Sequence, residues 1–147
     1  MRWWSSIVCG LLSFSTLACS SSQALAVSRA ASPPNPVVQT AAPEIKQVSP
    51  QQAYQFLQAQ PTAQFIDVRQ PDEYAEGHAK GTRLRPLNEL PRWAGTLKQS
   101  DPVVLICRSG NRSQIAAEEL KKRGFRILLN IQGGTPAWEA QGLPVEQ

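Results

Sequence analysis

The sequence predicts an α/β fold in which an open parallel sheet is covered by helices on both faces. Short apolar runs rich in β-branched residues, at 65–68, 103–106 and 126–131, indicate buried strands. Stretches of helical periodicity separate these runs, and such alternation is typical of parallel strands joined by crossover helices. The pattern extends over about 100 residues, which is enough for one hydrophobic core. We therefore expect one domain, from residue 45 to residue 147.

The first elements of this domain are predicted to be a short strand at 45–48 and a capped helix. Ser49 is a typical N-cap residue, and Gln52 at the third helical position completes a capping box. The helix is expected to reach Gln60, because a proline follows. After the next strand, Pro71 begins a short acidic helix.

Three further helices are expected in the second half of the domain. Residues 87–99 hold one, interrupted near Pro91. Another follows the central strand and ends in the basic run 121–123, which complements the helix dipole, with Gly124 suited to the position after its end. The last helix covers residues 136–140.

The polar loop after the central strand is the part around which the chain is organised. The strand stops at Cys107, at the carboxyl end of the sheet, where ligands bind in open α/β folds. The loop carries Arg108 and Arg112 but no acid, and a helix follows it. Gly110 and Asn111 tolerate positive φ, so successive N–H groups can face one centre. The loop and the helix dipole together predict an anion site with the cysteine sulfur at its rim.

This environment favours the thiolate form of Cys107. A free thiol titrates near ~8.5, so roughly 3% of it is ionised at neutral pH. A pKa of about 6 requires ~3.4 kcal/mol of differential stabilisation. Two or three charge-assisted hydrogen bonds of about 1.5–3 kcal/mol each would supply it without a histidine base. The alternative is a buried structural cysteine, but the polar, basic surroundings favour a reactive one.

Four segments resemble single-domain rhodaneses, a family of sulfurtransferases. Residues 107–113 are similar to the family's active-site loop, Cys-x-x-Gly-x-Arg-Ser/Thr. Residues 65–69 resemble a strand ending in Asp-x-Arg, and residues 72–78 a Glu-Tyr-x-x-Gly-His segment. Gly-Gly-Thr-Pro-Ala-Trp at 133–138, followed by Gly-Leu-Pro-Val at 142–145, resembles the C-terminal signature. The resemblance covers nearly the whole domain and implies a rhodanese-like sheet and sulfur transfer.

The loop chemistry and the resemblance together assign the expected site residues. Cys107 is expected to be the catalytic nucleophile. Asp67 is expected to accept hydrogen bonds that steady the loop or nearby backbone, and Arg69 is expected to pair with Glu73. The expected substrate-binding residues are Arg108, Ser109, Gly110, Asn111, Arg112 and Ser113. The sequence has no metal-ligand spacing, and no cofactor is expected.

The expected reaction is sulfur transfer in two steps. The Cys107 thiolate takes the outer sulfur of a small anionic donor such as thiosulfate, which Arg108, Arg112 and the loop amides hold. The resulting persulfide passes its sulfur to a thiol or to cyanide. Two alternatives stay open: a tethered module that holds a persulfide or senses sulfide with little turnover, and a cysteine phosphatase or arsenate reductase. Phosphatases use Cys-x5-Arg, whereas Cys107 to Arg112 is Cys-x4-Arg, a shorter ring.

One stretch departs from the family pattern. After Gly77-His78 the family usually has an apolar residue, a proline and a small apolar run, whereas this chain has Ala-Lys-Gly-Thr-Arg-Leu-Arg-Pro at 79–86. The strand expected there is more basic than usual, which puts its burial in doubt. A basic run begins in it and is either a solvated face or an aid to steering anions. The run consists of Lys80, Arg83, Arg85 and Arg92.

Composition argues against several other classes of function. Residues 45–147 hold thirteen Lys and Arg against ten Asp and Glu, and a net charge of +3 is too slight to argue for nucleic acid. His78 is the only histidine, which counts against a Cys-His protease, and a structural role is expected for it. Trp93 and Trp138 are expected in the core.

The first 44 residues are expected to lie outside the folded domain. Residues 1–18 have a positive start and an apolar stretch too short to span a bilayer, which fits a secretory signal peptide. Residues 16–19, Thr-Leu-Ala-Cys, resemble a bacterial lipobox, although Thr16 stands where Leu is usual. In a lipobox Cys19 becomes the lipidated first residue. Residues 19–44, rich in Ser, Ala and Pro, are predicted to form a linker.

The expected location is the cell envelope, as a membrane-anchored lipoprotein facing the periplasm. A competing cleavage site after Ala26 would release a soluble periplasmic protein, and an uncleaved anchor is the third alternative. Cysteine usage agrees with export. Cys9 would leave with the signal and Cys19 would lose its thiol, so Cys107 would be the one free cysteine.

Overall fold

The structure is a computed structural model that describes residues 42–147. The predicted signal peptide, the lipobox and nearly all of the predicted linker lie outside the described residues. Among residues 42–147, none of the helices has both the length and the apolar character needed to cross a membrane.

Parallel strands form the central sheet. The strands in chain order are β1 (Glu44–Val48), β2 (Gln64–Asp67), β3 (His78–Ala79), β4 (Arg83–Leu84), β5 (Val103–Ile106), β6 (Ile127–Ile131) and β7 (Val145–Glu146). Five of them make one sheet in the order β1-β6-β5-β2-β4, and all its pairings are parallel. The other two, β3 and β7, form a separate antiparallel pair. The strand that leads to the cysteine loop, β5, therefore lies in the middle of the sheet.

Helices cover both faces of this sheet. They are α1 (Pro50–Ala59), α2 (Pro71–Ala75), α3 (Leu90–Trp93), α4 (Asn111–Lys122) and α5 (Gly134–Ala140). Buried residues of α3 and α4 share one apolar cluster with one side of the sheet, and those of α1 and α5 share another with the opposite side. This arrangement confirms the predicted α/β class with helices on both faces.

The central strand β5 shows why its sequence is an unbroken apolar run. Val103 and Leu105 belong to one cluster, and Val104 and Ile106 belong to the other. All four side chains are fully buried. A strand covered on both faces needs apolar residues at every position instead of alternate ones.

Because the five strands are parallel, their carboxyl ends lie together at one end of the sheet and their amino ends lie at the other. We call these the carboxyl end and the amino end of the sheet. Cys107 follows the last residue of β5 and lies at the carboxyl end. Residues that precede β2, β4 and β5 lie at the amino end.

The predicted caps at the two longest helices are present. The Gln52 N–H donates to Ser49 Oγ at 3.2 Å, and the Ser49 N–H donates to Gln52 Oε1 at 2.9 Å, so the capping box at the start of α1 is confirmed. Helix α4 ends at Lys122, and Gly124 follows with a φ of +95°, the left-handed conformation expected after a helix end.

Two of the predicted helices have different bounds in the structure. The helix predicted at 87–99 is much shorter, because only Leu90–Trp93 is α-helical, with a 3-10 turn on each side, at Leu87–Glu89 and Ala94–Thr96. Pro91 is compatible only with a first turn, and the next residues tighten instead of continuing the helix. The last helix begins at Gly134, two residues before the predicted start, because its first turn packs on the cysteine loop.

The basic stretch at 79–86 contributes only two residues, β4, to the central sheet. Arg83 is exposed and Leu84 is partly buried, because β4 is the outermost strand and pairs with β2 alone. An edge strand does not need apolar residues on both faces, so the basic sequence is compatible with the fold.

Candidate active site

The sulfur of Cys107 lies inside the loop that follows β5. The residue has no exposed surface, so the prediction that the sulfur lies at the rim of the loop is wrong. The Gly110 N–H donates to Cys107 Sγ at 3.1 Å, and the Ser113 hydroxyl donates to it at 3.3 Å. The loop therefore curls over the sulfur and surrounds it with hydrogen-bond donors.

These donors decide the ionisation of the thiol. Burial by itself raises the pKa of Cys107, because a thiolate loses its hydration inside the protein. Hydrogen bonds from the Ser113 side chain and from the backbone of Ser113, Ser109 and Gly110 act in the opposite direction. Together they outweigh the burial, and the pKa of Cys107 lies below its ordinary value. This is the direction that a reactive cysteine needs.

The curl of the loop depends on Gly110. Its φ is +95°, in the left-handed region that glycine adopts without strain. A Cβ at this position would also lie 3.3 Å from the carbonyl oxygen of Ile131 in β6, a tight contact with backbone. Both the conformation and the space therefore favour glycine at the residue that aims its N–H at the sulfur.

Helix α5 packs its first turn directly against the cysteine. The Thr135 N–H donates to the carbonyl of Cys107 at 2.9 Å. A Cβ on Gly134 would overlap the carbonyl oxygen of Cys107 and would lie 2.5 Å from the carbonyl carbon of Arg108. The resemblance found this glycine pair by its sequence alone, and the structure gives the reason: only a residue without a side chain lets α5 approach the loop this closely.

An ion pair supports the other end of the loop. Arg112, in the first turn of α4, donates from Nη1 and Nη2 to the two carboxylate oxygens of Glu73 at 2.6 and 2.7 Å. The Arg112 side chain, aided by the Gln70 N–H, lowers the pKa of Glu73 to about 2. Glu73 in turn raises the pKa of Arg112, and the charge of Cys107 adds to this rise.

The predicted ion pair between Arg69 and Glu73 is therefore wrong. The Arg69 guanidinium donates from Nε to Asp67 Oδ2 at 2.9 Å and reaches Glu73 only through its backbone carbonyl, also at 2.9 Å. It also donates to the carbonyl of Gly77 at 2.7 Å. Sequence proximity suggested the pair, but the carboxylate of Glu73 is taken by Arg112, which is 39 residues away.

Asp67 lies at the end of β2 and is fully buried. Burial raises the pKa of its carboxyl group, although hydrogen bonds from the backbone and side chain of Arg69 oppose the rise. The Arg69 N–H donates to Asp67 Oδ1 at 3.0 Å, so the carboxylate steadies the backbone where β2 leads into α2. Neither Asp67 nor Arg69 hydrogen-bonds to the sulfur among the contacts of residues 42–147.

Arg108 has a different environment from Arg112. It is exposed and forms no ion pair within the described part of the chain. It lines a cavity of about 300 Å³ beside the loop. The other lining residues are Arg69, Glu73, Glu76, Gly77, Thr135, Pro136 and Glu139. Arg108 is thus the loop arginine whose charge is open to a ligand, and the prediction that Arg112 binds substrate stays a prediction.

The remaining members of the predicted substrate-binding set surround a second cavity. Ser109, Gly110 and Asn111 line a space of about 380 Å³ on the side of the loop that faces β6. The other lining residues are Gln47, Gln114, Asn130, Gln132 and Gly133, so this side of the loop is uncharged. Ser113 is buried, and its hydroxyl contacts the carbonyl of Gly110 at 3.1 Å as well as the sulfur.

Sequence reasoning missed Asn130. This residue interrupts the apolar run of β6 and is buried. Its Nδ2 donates to the carbonyl of Gly110 at 3.1 Å and also lies within hydrogen-bond distance of Gln47 and Gln114. Asn130 therefore fixes the peptide group next to the N–H that contacts the sulfur. A single polar residue inside an otherwise apolar strand was the available signal.

The other predicted structural residues lie away from the sulfur. His78 in β3 stacks on Tyr74, with ring centroids 3.6 Å apart, and its Nδ1 is 3.1 Å from the Tyr74 carbonyl. Trp93 and Trp138 are buried in the core, as predicted. Within residues 42–147, no three metal-ligating side chains come together.

A parallel α/β sheet with a buried, hydrogen-bonded cysteine in a loop at its carboxyl end defines the structural class of this domain. The chain belongs to the rhodanese-like domain family, whose sequence profile matches residues 49–141. Solved structures agree with this assignment. A rhodanese-related protein from Thermoplasma volcanium is 28% identical, with a TM-score of 0.62, and the match covers 69% of this chain and 97% of that one. A rhodanese-like domain protein from Staphylococcus aureus is 25% identical, with a TM-score of 0.61 and coverage of 69% and 99%.

Several relatives carry functional names. A sulfurtransferase of Allochromatium vinosum is 35% identical over 81 residues, which are 55% of this chain and 76% of the relative. The thiosulfate sulfurtransferase GlpE of Stutzerimonas stutzeri is 30% identical over 95 residues, which are 65% of this chain and 85% of the relative. Two Bacillus subtilis relatives are matched over only part of their length: the "putative sulfur carrier protein YrkF" is 33% identical with 52% of its length covered, and the "uncharacterized protein YqhL" is 40% identical with 60% of its length covered.

Proposed function

We propose that this protein is a sulfurtransferase that moves sulfane sulfur from a small anionic donor, such as thiosulfate, to a thiol or cyanide through a persulfide on Cys107. The observation that carries the proposal is the thiol of Cys107, buried and surrounded by loop donors that lower its pKa. The names of the Allochromatium and Stutzerimonas relatives support the same reaction type.

The first step forms the persulfide. The Cys107 thiolate attacks the outer sulfur of thiosulfate, and a new S–S bond forms to the cysteine. The S–S bond of thiosulfate breaks, and its electron pair leaves with sulfite. Charge balances, since a thiolate and a dianion give a persulfide anion and the sulfite dianion. No proton transfer is needed, which agrees with a loop that holds no carboxylate or histidine.

The loop would stabilise both anions of this step. The N–H of Gly110 and the hydroxyl of Ser113 already point at Cys107 Sγ and would follow the negative charge onto the outer sulfur. Arg108 is exposed, directly follows Cys107 in the chain and would hold the sulfite end of the donor. In the second step cyanide or a thiolate attacks the outer sulfur, and the thiolate of Cys107 is regenerated.

Access to the sulfur sets a condition on this mechanism. Cys107 has no exposed surface, so the outer sulfur of a donor must enter the loop to reach it. The loop has to open enough to admit one sulfur atom, while the bulk of the donor stays outside near Arg108. A tetrahedral phosphoryl group would need all its equatorial oxygens inside the loop, and this favours sulfur over phosphorus as the transferred atom.

We also propose that the domain works in the cell envelope, tethered through a lipid on Cys19 and the linker that follows it. The support is the sequence pattern of residues 1–44. Cys19→Ala should leave an unprocessed precursor or release the protein from membranes in cell fractionation. A wild-type protein that is wholly soluble and begins at Val27 would overturn the anchor in favour of cleavage after Ala26.

The test of the proposed reaction is the intact mass of the protein before and after thiosulfate. The wild type should gain the mass of one sulfur atom and lose it again on adding cyanide, with thiocyanate formed. Cys107→Ser should gain nothing and form no thiocyanate, since a serine hydroxyl does not ionise at neutral pH or hold sulfane sulfur. A wild type with no sulfur adduct that hydrolyses an aryl phosphate and is inhibited by orthovanadate would overturn the proposal in favour of a phosphatase.

A further inference from the structure

Another cavity lies at the amino end of the sheet, away from the cysteine loop. Its volume is about 510 Å³, within the range of small-molecule sites. Residues that precede β2, β4 and β5 line it, together with the second half of α1 and Trp138. Cys107 follows the opposite end of β5, so the length of a four-residue strand, about 13 Å, separates the two sites.

Three cations from two segments of the chain line this cavity. Lys80 lies in the turn after β3, Arg83 begins β4, and Lys98 lies in the segment before β5. None of the three forms an ion pair with any residue of 42–147. The single acid in the lining, Asp101, accepts a hydrogen bond from the hydroxyl of Ser100 at 3.0 Å. The cavity therefore carries an excess of positive charge that the described residues do not neutralise.

The backbone positions of these cations are fixed. The amide side chain of Gln64 donates to the carbonyl of Lys98 at 2.9 Å and accepts from the Lys98 N–H at 3.1 Å. The Lys80 N–H donates to the carbonyl of Pro144 at 3.0 Å. Arg83 is paired with Ile66 in the sheet. A ligand would therefore meet cations whose backbone is already ordered, which lowers the entropic cost of binding.

One wall of the cavity is apolar. Phe65 and Trp138 are buried and pack with their ring centroids 5.5 Å apart. Tyr54 meets Trp138 edge-on at 6.0 Å. The surface of this wall comes from Tyr54 and Leu57, which are half-buried, and from Pro61, which is exposed, and it lies next to the three cations.

We propose that this cavity binds a small organic anion, with its negative group among Lys80, Arg83 and Lys98 and its apolar body against the wall formed by Tyr54, Leu57 and Pro61. The inference is independent of the proposed sulfur transfer, because it concerns another place and another ligand class. It also gives a role to the basic stretch at 79–86, in which this chain departs from the rhodanese pattern and which supplies two of the cations. Lys80 and Arg83 lie at the opposite end of the sheet from Cys107, so they are badly placed to steer anions toward it.

Nuclear magnetic resonance of the 15N-labelled chain locates the site, with 2-naphthalenesulfonate as the anionic probe. The amides of Ala63, Gly81 and Thr96 should shift in a saturable way, while those of the cysteine loop should not. The uncharged analogue 2-naphthalenemethanol should produce much smaller shifts at the same concentration, because it has no group for the cations. Added salt should weaken binding of the sulfonate.

A charge-removal variant with a matched control tests the cations. Lys80→Gln/Arg83→Gln/Lys98→Gln should weaken sulfonate binding roughly tenfold and leave sulfur transfer unchanged. The control Lys46→Gln/Arg92→Gln/Arg126→Gln removes the same charge from exposed positions outside the cavity and should change the affinity less than about twofold.

Three outcomes would overturn the proposal. Two of them come from the wild type alone, so the proposal is tested even if the variants do not fold. One is a set of shifts scattered over the surface or confined to the cysteine loop. Another is equal binding of the charged and uncharged naphthalenes. The third is equal weakening by the two triple variants, which would show that only net charge attracts the probe. None of these three results changes what is expected in the persulfide assay, so the two proposals are tested separately.

Discussion

The guanidinium of Arg112 and the carboxylate of Glu73 form a two-pronged ion pair, with N···O distances of 2.6 and 2.7 Å. The pair joins α2 to the first turn of α4, next to the loop that holds the sulfur of Cys107. Both terminal nitrogens of Arg112 are thereby committed to Glu73. In this arrangement Arg112 acts on the sulfur through its charge and through the position of the loop end.

The ion pair between Arg112 and Glu73 should make the stability of the protein depend on pH in a defined window. The pKa of Glu73 is lowered to about 2, so its carboxylate contributes stability above the ordinary pKa near 4.5. This contribution is lost as the pH falls toward about 2. Glu73→Gln should cost about 1–2 kcal/mol at pH 7, after allowance for partial exposure of both side chains.

The measurement is urea unfolding of the wild type and Glu73→Gln from pH 7 down to pH 2, with Glu76→Gln as the control. Glu76 is an exposed neighbour that forms no ion pair within residues 42–147. The difference between wild type and Glu73→Gln should shrink below the ordinary glutamate pKa. A difference that stays constant over this range would contradict a stabilising charge on Glu73.

Arg112 should also influence the ionisation of Cys107. Arg112→Gln removes a positive charge that favours the thiolate, so the pKa of Cys107 should rise. Arg112→Lys keeps the charge but loses the planar fork, so its effect should be smaller and in the same direction. The readout is the pH dependence of iodoacetamide alkylation in a chain with Cys9 and Cys19 replaced by serine. An unshifted profile in Arg112→Gln would show that the loop donors alone set the pKa.

Gly134 should be the glycine that is least tolerant of a side chain. Gly134→Ala places a Cβ against the carbonyl groups of Cys107 and Arg108, so it should cost about 3 kcal/mol or more. Gly142→Ala is the matched control, because Gly142 also has positive φ, +65° against +61°, but open space around its Cβ. The control should cost only about 1–2 kcal/mol. Equal melting temperatures for the two variants would show that backbone strain, not contact with the loop, is the constraint.

Asn130 should act as a positioning residue for the loop. Asn130→Asp replaces the donor that holds the carbonyl of Gly110 with an oxygen that repels it. The Gly110 N–H should then no longer donate to the sulfur, and the pKa of Cys107 should rise. The side chain in Asn130→Ser is too short to contact the Gly110 carbonyl but does not repel it, so the pKa of Cys107 should rise less. The alkylation profile separates this role from a purely structural one, which would lower the melting temperature without moving the profile.

The amino-acid sequence alone was enough to predict the α/β class, most element positions and the loop that carries Cys107. These follow from local physics. The apolar run of β5 and the periodicity of α4 each record burial along a short segment, and the capping box at Ser49 is closed within four residues. Gly110 could be assigned to the curl of the loop, because its positive φ is a property of one residue.

The groups that contact the sulfur, and the pairs that these groups form with each other, depend on how the folded chain packs. The partner of Glu73 is an arginine 39 residues away, and the carbonyl of Gly110 is held by an asparagine 20 residues away. Gly134 is required because a Cβ there would collide with the backbone of Cys107 and Arg108, which belong to a different segment of the chain. Such choices depend on which of several chemically similar partners the fold brings within 3 Å. That distance is set by the order of strands in the sheet, not by spacing along the chain.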